Sequence, residues 1–63
     1  MDYKKWRREK TNATQVDVAI EVGVSLSTIC NWESGVTKPT LENKVRLEAT
    51  LRKFENENKK GDE

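Results

Sequence analysis

Histidine is absent from this chain of 63 residues, and cysteine occurs once, at Cys30. A single cysteine excludes an internal disulfide. Without histidine or a second thiol, no metal site of the usual nitrogen and sulfur ligands can be assembled. The same absences, with no setting that would activate a nucleophile and no room for an active-site cleft, argue against an enzyme, and no cofactor is expected. No apolar run approaches the roughly 20 residues of a membrane-spanning helix, and none serves as a secretion signal, so the expected compartment is the cytoplasm. A chain this short makes one domain at most and buries only about 60% of its unfolded surface, so a dimer or a ligand would help it. With 33% hydrophobic and 37% charged residues, the core is thin and the surface wet.

What is present is helical periodicity broken at defined points. Asp2 can cap a first helix that buries Tyr3 and Trp6, one turn apart, and fades near Lys10. Thr11-Asn12-Ala13 is a polar connector. Thr14 followed by Asp17 fits a capping box and starts a second helix at Gln15. Val18, Val22, Ile29 and Trp32 repeat at helical spacing on both sides of Gly23, which can take the left-handed conformation that ends a helix. Ala19 is small enough for close helix approach, Val24 drops into the core, and Ser25 caps a third helix over residues 26–34 that stops at Gly35. Pro39, the single proline, blocks continuation, and Thr40 caps a fourth helix with apolar residues Leu41, Val45, Leu47, Leu51 and Phe54. The expected fold is all-α: a compact bundle of four helices, or five, with one domain over residues 1–56 and a frayed charged tail over 57–63. Two helices across a tight turn make a helix-turn-helix, a layout suited to reading DNA.

Net charge is only +1, but it is unevenly spread. Residues 1–13 hold five cations against two acids, residues 14–38 hold one against three, and the remainder balances. A basic first helix is what a phosphate contact needs. Taken alone, this pattern fits a solvated charged face better than a binding surface.

The segment Thr14-Gln15, Ala19, Gly23-Val24-Ser25, Ile29, Trp32-Glu33, Gly35 and Pro39 resembles, in register, the lambda-repressor-like, Cro-type (Xre) helix-turn-helix regulators. The resemblance covers about residues 3–51. It implies that Gln15 holds the DNA backbone and that Ser25, Leu26, Ser27, Thr28 and Asn31 enter the major groove. It also places the loop of Val36, Thr37 and Lys38 near the backbone. Asn31 can bridge adenine, Ser27 can donate or accept, and Leu26 can pack on a thymine methyl. Departures matter too. The third helix has no basic residue, which favours A·T-biased sites. The chain is one residue longer than usual between Trp6 and Gln15. If the extra residue lies in the connector, Arg7 pairs with Glu33; if not, Arg8 does. Glu48 stands where relatives carry a small core residue, which implies a different rotation of the fourth helix, and the fifth helix usual after Leu51 has no clear counterpart.

Bland readings compete with these. Ala19, Gly23 and Val24 build the corner, Trp32 is core, and Cys30 is a small side chain on the rim. By composition alone, Ser27, Thr28 and Asn31 would be solvated polar residues; their place just after Gly-Val-Ser makes them DNA contacts. Val16 and Ile20, one turn apart where relatives are polar, are either buried by a roll of the second helix or exposed as a contact surface. The expected function is therefore a sequence-specific transcription regulator of double-stranded DNA, a small phage or mobile-element type repressor. It would act as a homodimer on a pseudo-palindromic operator, with Leu47, Leu51 and Phe54 as the first candidates for the seam and Val16/Ile20 as the second. The alternative is a protein-interaction module, an antirepressor or inhibitor, that binds a protein partner through Val16 and Ile20 and lacks strong DNA binding.

Overall fold

The computed structural model describes residues 2–60, which form α1 (Tyr3–Lys10), α2 (Gln15–Val22), α3 (Leu26–Ser34) and α4 (Leu41–Lys60). The chain is all-α, and each helix starts where a side chain can satisfy its orphan amides. Asp2 accepts from the Lys5 amide at 3.0 Å. At α2 the capping box closes in both directions, Asp17 N–H to Thr14 Oγ1 at 3.1 Å and Thr14 N–H to Asp17 Oδ2 at 2.9 Å. Ser25 Oγ accepts from the Thr28 amide at 3.2 Å, and Thr40 Oγ1 from the Asn43 amide at 3.3 Å. Gly23 sits at φ +89° and donates its amide to Ala19 O at 2.9 Å, so α2 stops within one residue and α3 starts at once. No other atoms would meet a Cβ at Gly23, so the glycine is there for its backbone angle and not for space.

One core joins the four helices: Tyr3, Val18, Ala19, Val22, Ile29, Trp32, Leu47 and Leu51, with Trp6, Ala13, Val24 and Phe54 at its rim. Around the turn, Val18, Ala19, Val22, Ile29 and Trp32 are buried as expected, while Val24, expected in the core, is only half-buried against it. On α4 the expectation fails in part. Leu41 and Val45 are 78% and 62% exposed. Two residues along a helix is a rotation of ~200°, so Val45 cannot share a face with Leu47, and the core side of α4 is Leu47, Thr50, Leu51 and Phe54. Since Leu47 and Leu51 are sealed in the chain's own core, they are unavailable for the dimer seam they were expected to form.

Polar side chains complete what a thin apolar core leaves undone. Glu48 accepts from the Tyr3 hydroxyl at 3.4 Å, and Glu55 from the Trp6 indole N–H at 2.9 Å, with Arg52 5.8 Å over the Trp6 ring. Thus Glu48 stands in a core-rim position because α1 brings a phenol to it. Farther along, Asn58 Oδ1 accepts from Asn12 and its Nδ2 donates to Lys10 O, at 2.7 and 3.4 Å. These bonds hold the end of α4 against the connector after α1. Accordingly, α4 runs unbroken to Lys60 through the start of the stretch expected to fray; residues 61–63 of that tail lie outside the described residues.

Of the two arginines expected as candidates, Arg7 is the residue that meets Glu33. Nε–Oε2 is 2.7 Å and Nη2–Oε1 3.2 Å, with side-chain exposures of 13% and 5%. Removing one partner of a buried pair strands the other charge, at a cost of about 3–5 kcal/mol. Arg7→Ala should therefore destabilise the chain by about 3 kcal/mol, while Arg8→Ala, on an exposed side chain, should stay within about 0.5 kcal/mol. Thermal and urea melts of both variants check this. A second expectation concerns alkaline pH. Burial first, then the Glu48 charge and its hydrogen bond, raise the Tyr3 phenol above the usual 10.0. The neutral phenol is the form favoured by folding, so this contribution is present below about pH 10 and is lost as pH rises through the raised value. Denaturation midpoints should fall above that pH, and less steeply in Tyr3→Phe.

Candidate nucleic-acid interface

The face that α3 turns outward is set by the two residues it turns in. Ile29 and Trp32 are buried, which leaves Ser27, Asn31 and Ser34 along the opposite side, with Leu26, Thr28 and Cys30 flanking them. Ser27 is exposed, and Leu26 is 45% exposed. Asn31 is half-buried, and its side-chain amide makes no hydrogen bond with any described residue, so donor and acceptor are both available. Ser25 and Thr28 are more committed. Their hydroxyls lie 2.9 Å apart, and Ser25 also holds the Thr28 amide. Thr37 and Lys38 are exposed in the loop after α3, where the Thr37 amide donates to Asn31 O at 3.3 Å and folds the loop back onto the end of α3.

Gln15 is drawn into a network that its position in the sequence does not reveal. Its Nε2 donates to Glu33 Oε1 at 2.9 Å, and its Oε1 accepts from the Cys30 thiol at 3.4 Å. Arg7 donates to both oxygens of the same carboxylate, sharing Oε1 with Gln15, and also donates to Ala13 O at 3.3 Å. One carboxylate on α3 thus collects α1, the connector and the first residue of α2. One amide proton of Gln15 remains for an outside acceptor. Cys30 takes part as a weak donor, a role that nothing in its local sequence marks.

The electrostatic consequence follows directly. Glu33 is the only carboxylate on α3, and Arg7 neutralises it with both side chains largely buried. The outward face of α3 is therefore polar and uncharged. Cations lie on either side of it in the chain: Lys4, Lys5 and Arg8 on the outer side of α1, Lys38 in the loop, and Lys44 on α4, all exposed and without an ion pair to any described residue. Among the described residues no group of acids, cysteines or histidines could hold a metal ion, and no helix is long and apolar enough to cross a membrane. Val16 and Ile20 stand out from α2, at 48% and 74% exposure.

Comparison with known proteins fits this geometry. A family model described as helix-turn-helix matches residues 4–53. The chain is similar to the cryptic phage CTXphi transcriptional repressor RstR of Vibrio cholerae serotype O1, with 40% identity over 45 residues. That stretch covers 71% of this chain but only 40% of the repressor's own length. No solved structure matches the chain.

Because the Gln15 amide shares a nearly buried carboxylate with Arg7, Gln15→Ala should lower stability by about 1–2 kcal/mol even with no nucleic acid present. Cys30→Ser, which keeps a donor facing Gln15, should cost less. Urea denaturation of the two variants measures the difference.

Proposed function

We propose that this chain, which belongs to the helix-turn-helix family of lambda-repressor-like, Cro-type (Xre) regulators, is a sequence-specific transcription regulator that places α3 in the major groove of double-stranded DNA. The observation that carries the reading is the outward face of α3. It is polar and uncharged, and the Asn31 amide has both hydrogen-bonding functions unspent. In the groove that amide pairs with adenine N6 and N7, Leu26 packs on a thymine methyl, and Ser27 donates or accepts. Ser25 and Thr28 contribute through the first turn of α3, whose free amides also suit a phosphate. Gln15, Thr37 and Lys38 take the backbone, and the α1 cations add charge that is indifferent to sequence.

Repression is the regulatory sense that the likeness to a phage repressor supports, on a phage or other mobile element, with action in the cytoplasm. One copy covers too little DNA for useful discrimination, so two copies on a pseudo-palindromic operator follow from the size of the reading face. The seam of that homodimer lies outside Leu47 and Leu51, which the core consumes. A second reading has its own support in Val16 and Ile20. A pair of exposed apolar side chains on α2, with no cation on α3, would suit a protein-interaction module acting as an antirepressor or inhibitor.

Base discrimination separates the two. On the duplex the protein prefers, Asn31→Ala should cost about 1–3 kcal/mol and erase the preference at a single base position, leaving phosphate contacts and their salt dependence intact. Equal preference at every position before and after the substitution would remove Asn31 from the reading face.

A further inference from the structure

The core leaves over two pairs of exposed apolar side chains, each pair one helical turn apart: Val16 and Ile20 on α2, and Leu41 and Val45 on α4. Either pair is placed to join two copies of the chain, and the charges beside them decide between the two. In a two-fold contact a surface meets itself, so antiparallel helices bring identical flanks together. On α2 the residues after Val16 and Ile20 are Asp17 and Glu21, and the helix holds no cation. Paired with itself, α2 therefore sets acid against acid. Lys53 offsets Glu21 at 3.0 Å, but among the described residues Asp17 has only backbone amide hydrogens of its own capping box. On α4 the residues after Leu41 and Val45 are Glu42 and Arg46, of opposite sign. Their side chains are 76% and 58% exposed and meet within the helix at 3.2 Å, a kind of surface pair that is easily exchanged for another. Ala49, exposed one turn beyond Val45, is small enough to let a second helix approach.

We infer that two copies meet on DNA through α4, with Leu41 and Val45 of one copy packed on the same pair of the other, antiparallel about a two-fold axis. With that axis level with Lys44, Leu41 lies against the partner's Val45, Glu42 stands opposite the partner's Arg46, and symmetry repeats both contacts. Lys44, on the other flank, faces its own mate, and its long stem carries the ammonium group out to solvent. Leu41 comes seven positions after Ser34, the last residue of α3, and the loop between them is tied back to Asn31 O. A seam here thus joins the two reading helices through one short loop on each side. So few side chains fall far short of the roughly 20 residues a side of a stable interface. The seam therefore closes when a duplex holds two copies next to each other, not free in solution. It rests on the DNA-reading function proposed above and names the surface that recruits the second copy.

The test uses the whole chain on duplexes that carry one or both half-sites of the motif it selects. Wild type should fill the double site cooperatively. The variant Leu41→Gln/Val45→Gln, which touches no core, should lose about tenfold on the double site and keep wild-type affinity for the single one. Val16→Gln/Ile20→Gln should keep both. Charge gives the sharper readout, with each variant judged against its own single-site affinity, which absorbs any altered attraction to phosphate. Glu42→Arg and Arg46→Glu should each reduce cooperativity alone, because like charges then face across the seam. An equimolar mixture of the two should regain it, since each copy meets a partner of opposite sign. No effect within a single helix produces that rescue. Three results would overturn the seam and leave the reading face standing: a wild type that fills the half-sites independently, cooperativity that survives Leu41→Gln/Val45→Gln or is lost in the α2 variant, or a mixture no better than its components. Absence of any preferred duplex would overturn the DNA-reading function and the seam with it.

Discussion

The contact between Arg7 and Glu33 does more than join two helices. The guanidinium meets the carboxylate through two nitrogens, at 2.7 and 3.2 Å, while Gln15 takes the same carboxylate from α2 at 2.9 Å. Eight buried apolar and aromatic residues are a small core for four helices. In so small a domain the geometry of α3 relative to α1 and α2 needs a directional element that apolar packing does not supply. A bidentate arginine supplies it, since its planar fork accepts one approach of the carboxylate. Desolvation offsets much of the pair's gross attraction, so its worth lies more in fixing orientation than in net stability. With α1 and α2 both tied to Glu33, α3 is presented at one angle. Its acid is also withdrawn from the surface that would otherwise repel a polyanion.

That neutralisation accounts for a modest net charge in a chain read as a DNA binder. Affinity for a duplex depends on where cations stand, not on their sum. Here exposed cations occupy α1, the loop after α3 and the start of α4, while the outward side of α3 carries uncharged donors and acceptors. Such a division suits backbone contacts that position the protein and base contacts that specify the site. The proposed reading role of α3 is thus compatible with a helix that has no lysine or arginine.

Local chemistry was legible in the sequence. Thr14 with Asp17, Ser25, Gly23 and Gly35 each act within a few residues of their own position, so caps and turns could be assigned without knowing the fold. The Arg7–Glu33 pair came from a resemblance, and its register depended on placing one connector residue after α1. What escaped is long-range and polar. The bonds from Tyr3 to Glu48, Trp6 to Glu55 and Asn58 to Asn12 span 45, 49 and 46 residues, and no periodicity marks them. They explain why α4 extends where an apolar face runs out. Leu41 and Val45 misled for the opposite reason. Hydrophobic type was visible, but the rotation of α4 against the core was set by Leu47, Leu51 and Phe54. Gln15 was placed by resemblance as a backbone contact, and its second duty toward Glu33 and Cys30 required coordinates.

On the proposed function, this arrangement presents α3 to a specific duplex. Selection from a random duplex library, with the recovered sequences titrated at two salt concentrations, tests it most directly. The expected result is an enriched, A·T-biased motif with two-fold symmetry, half-sites about one helical turn apart, and affinity that falls steeply as salt rises. A library that emerges without enrichment, bound weakly or not at all at either salt concentration, would contradict it.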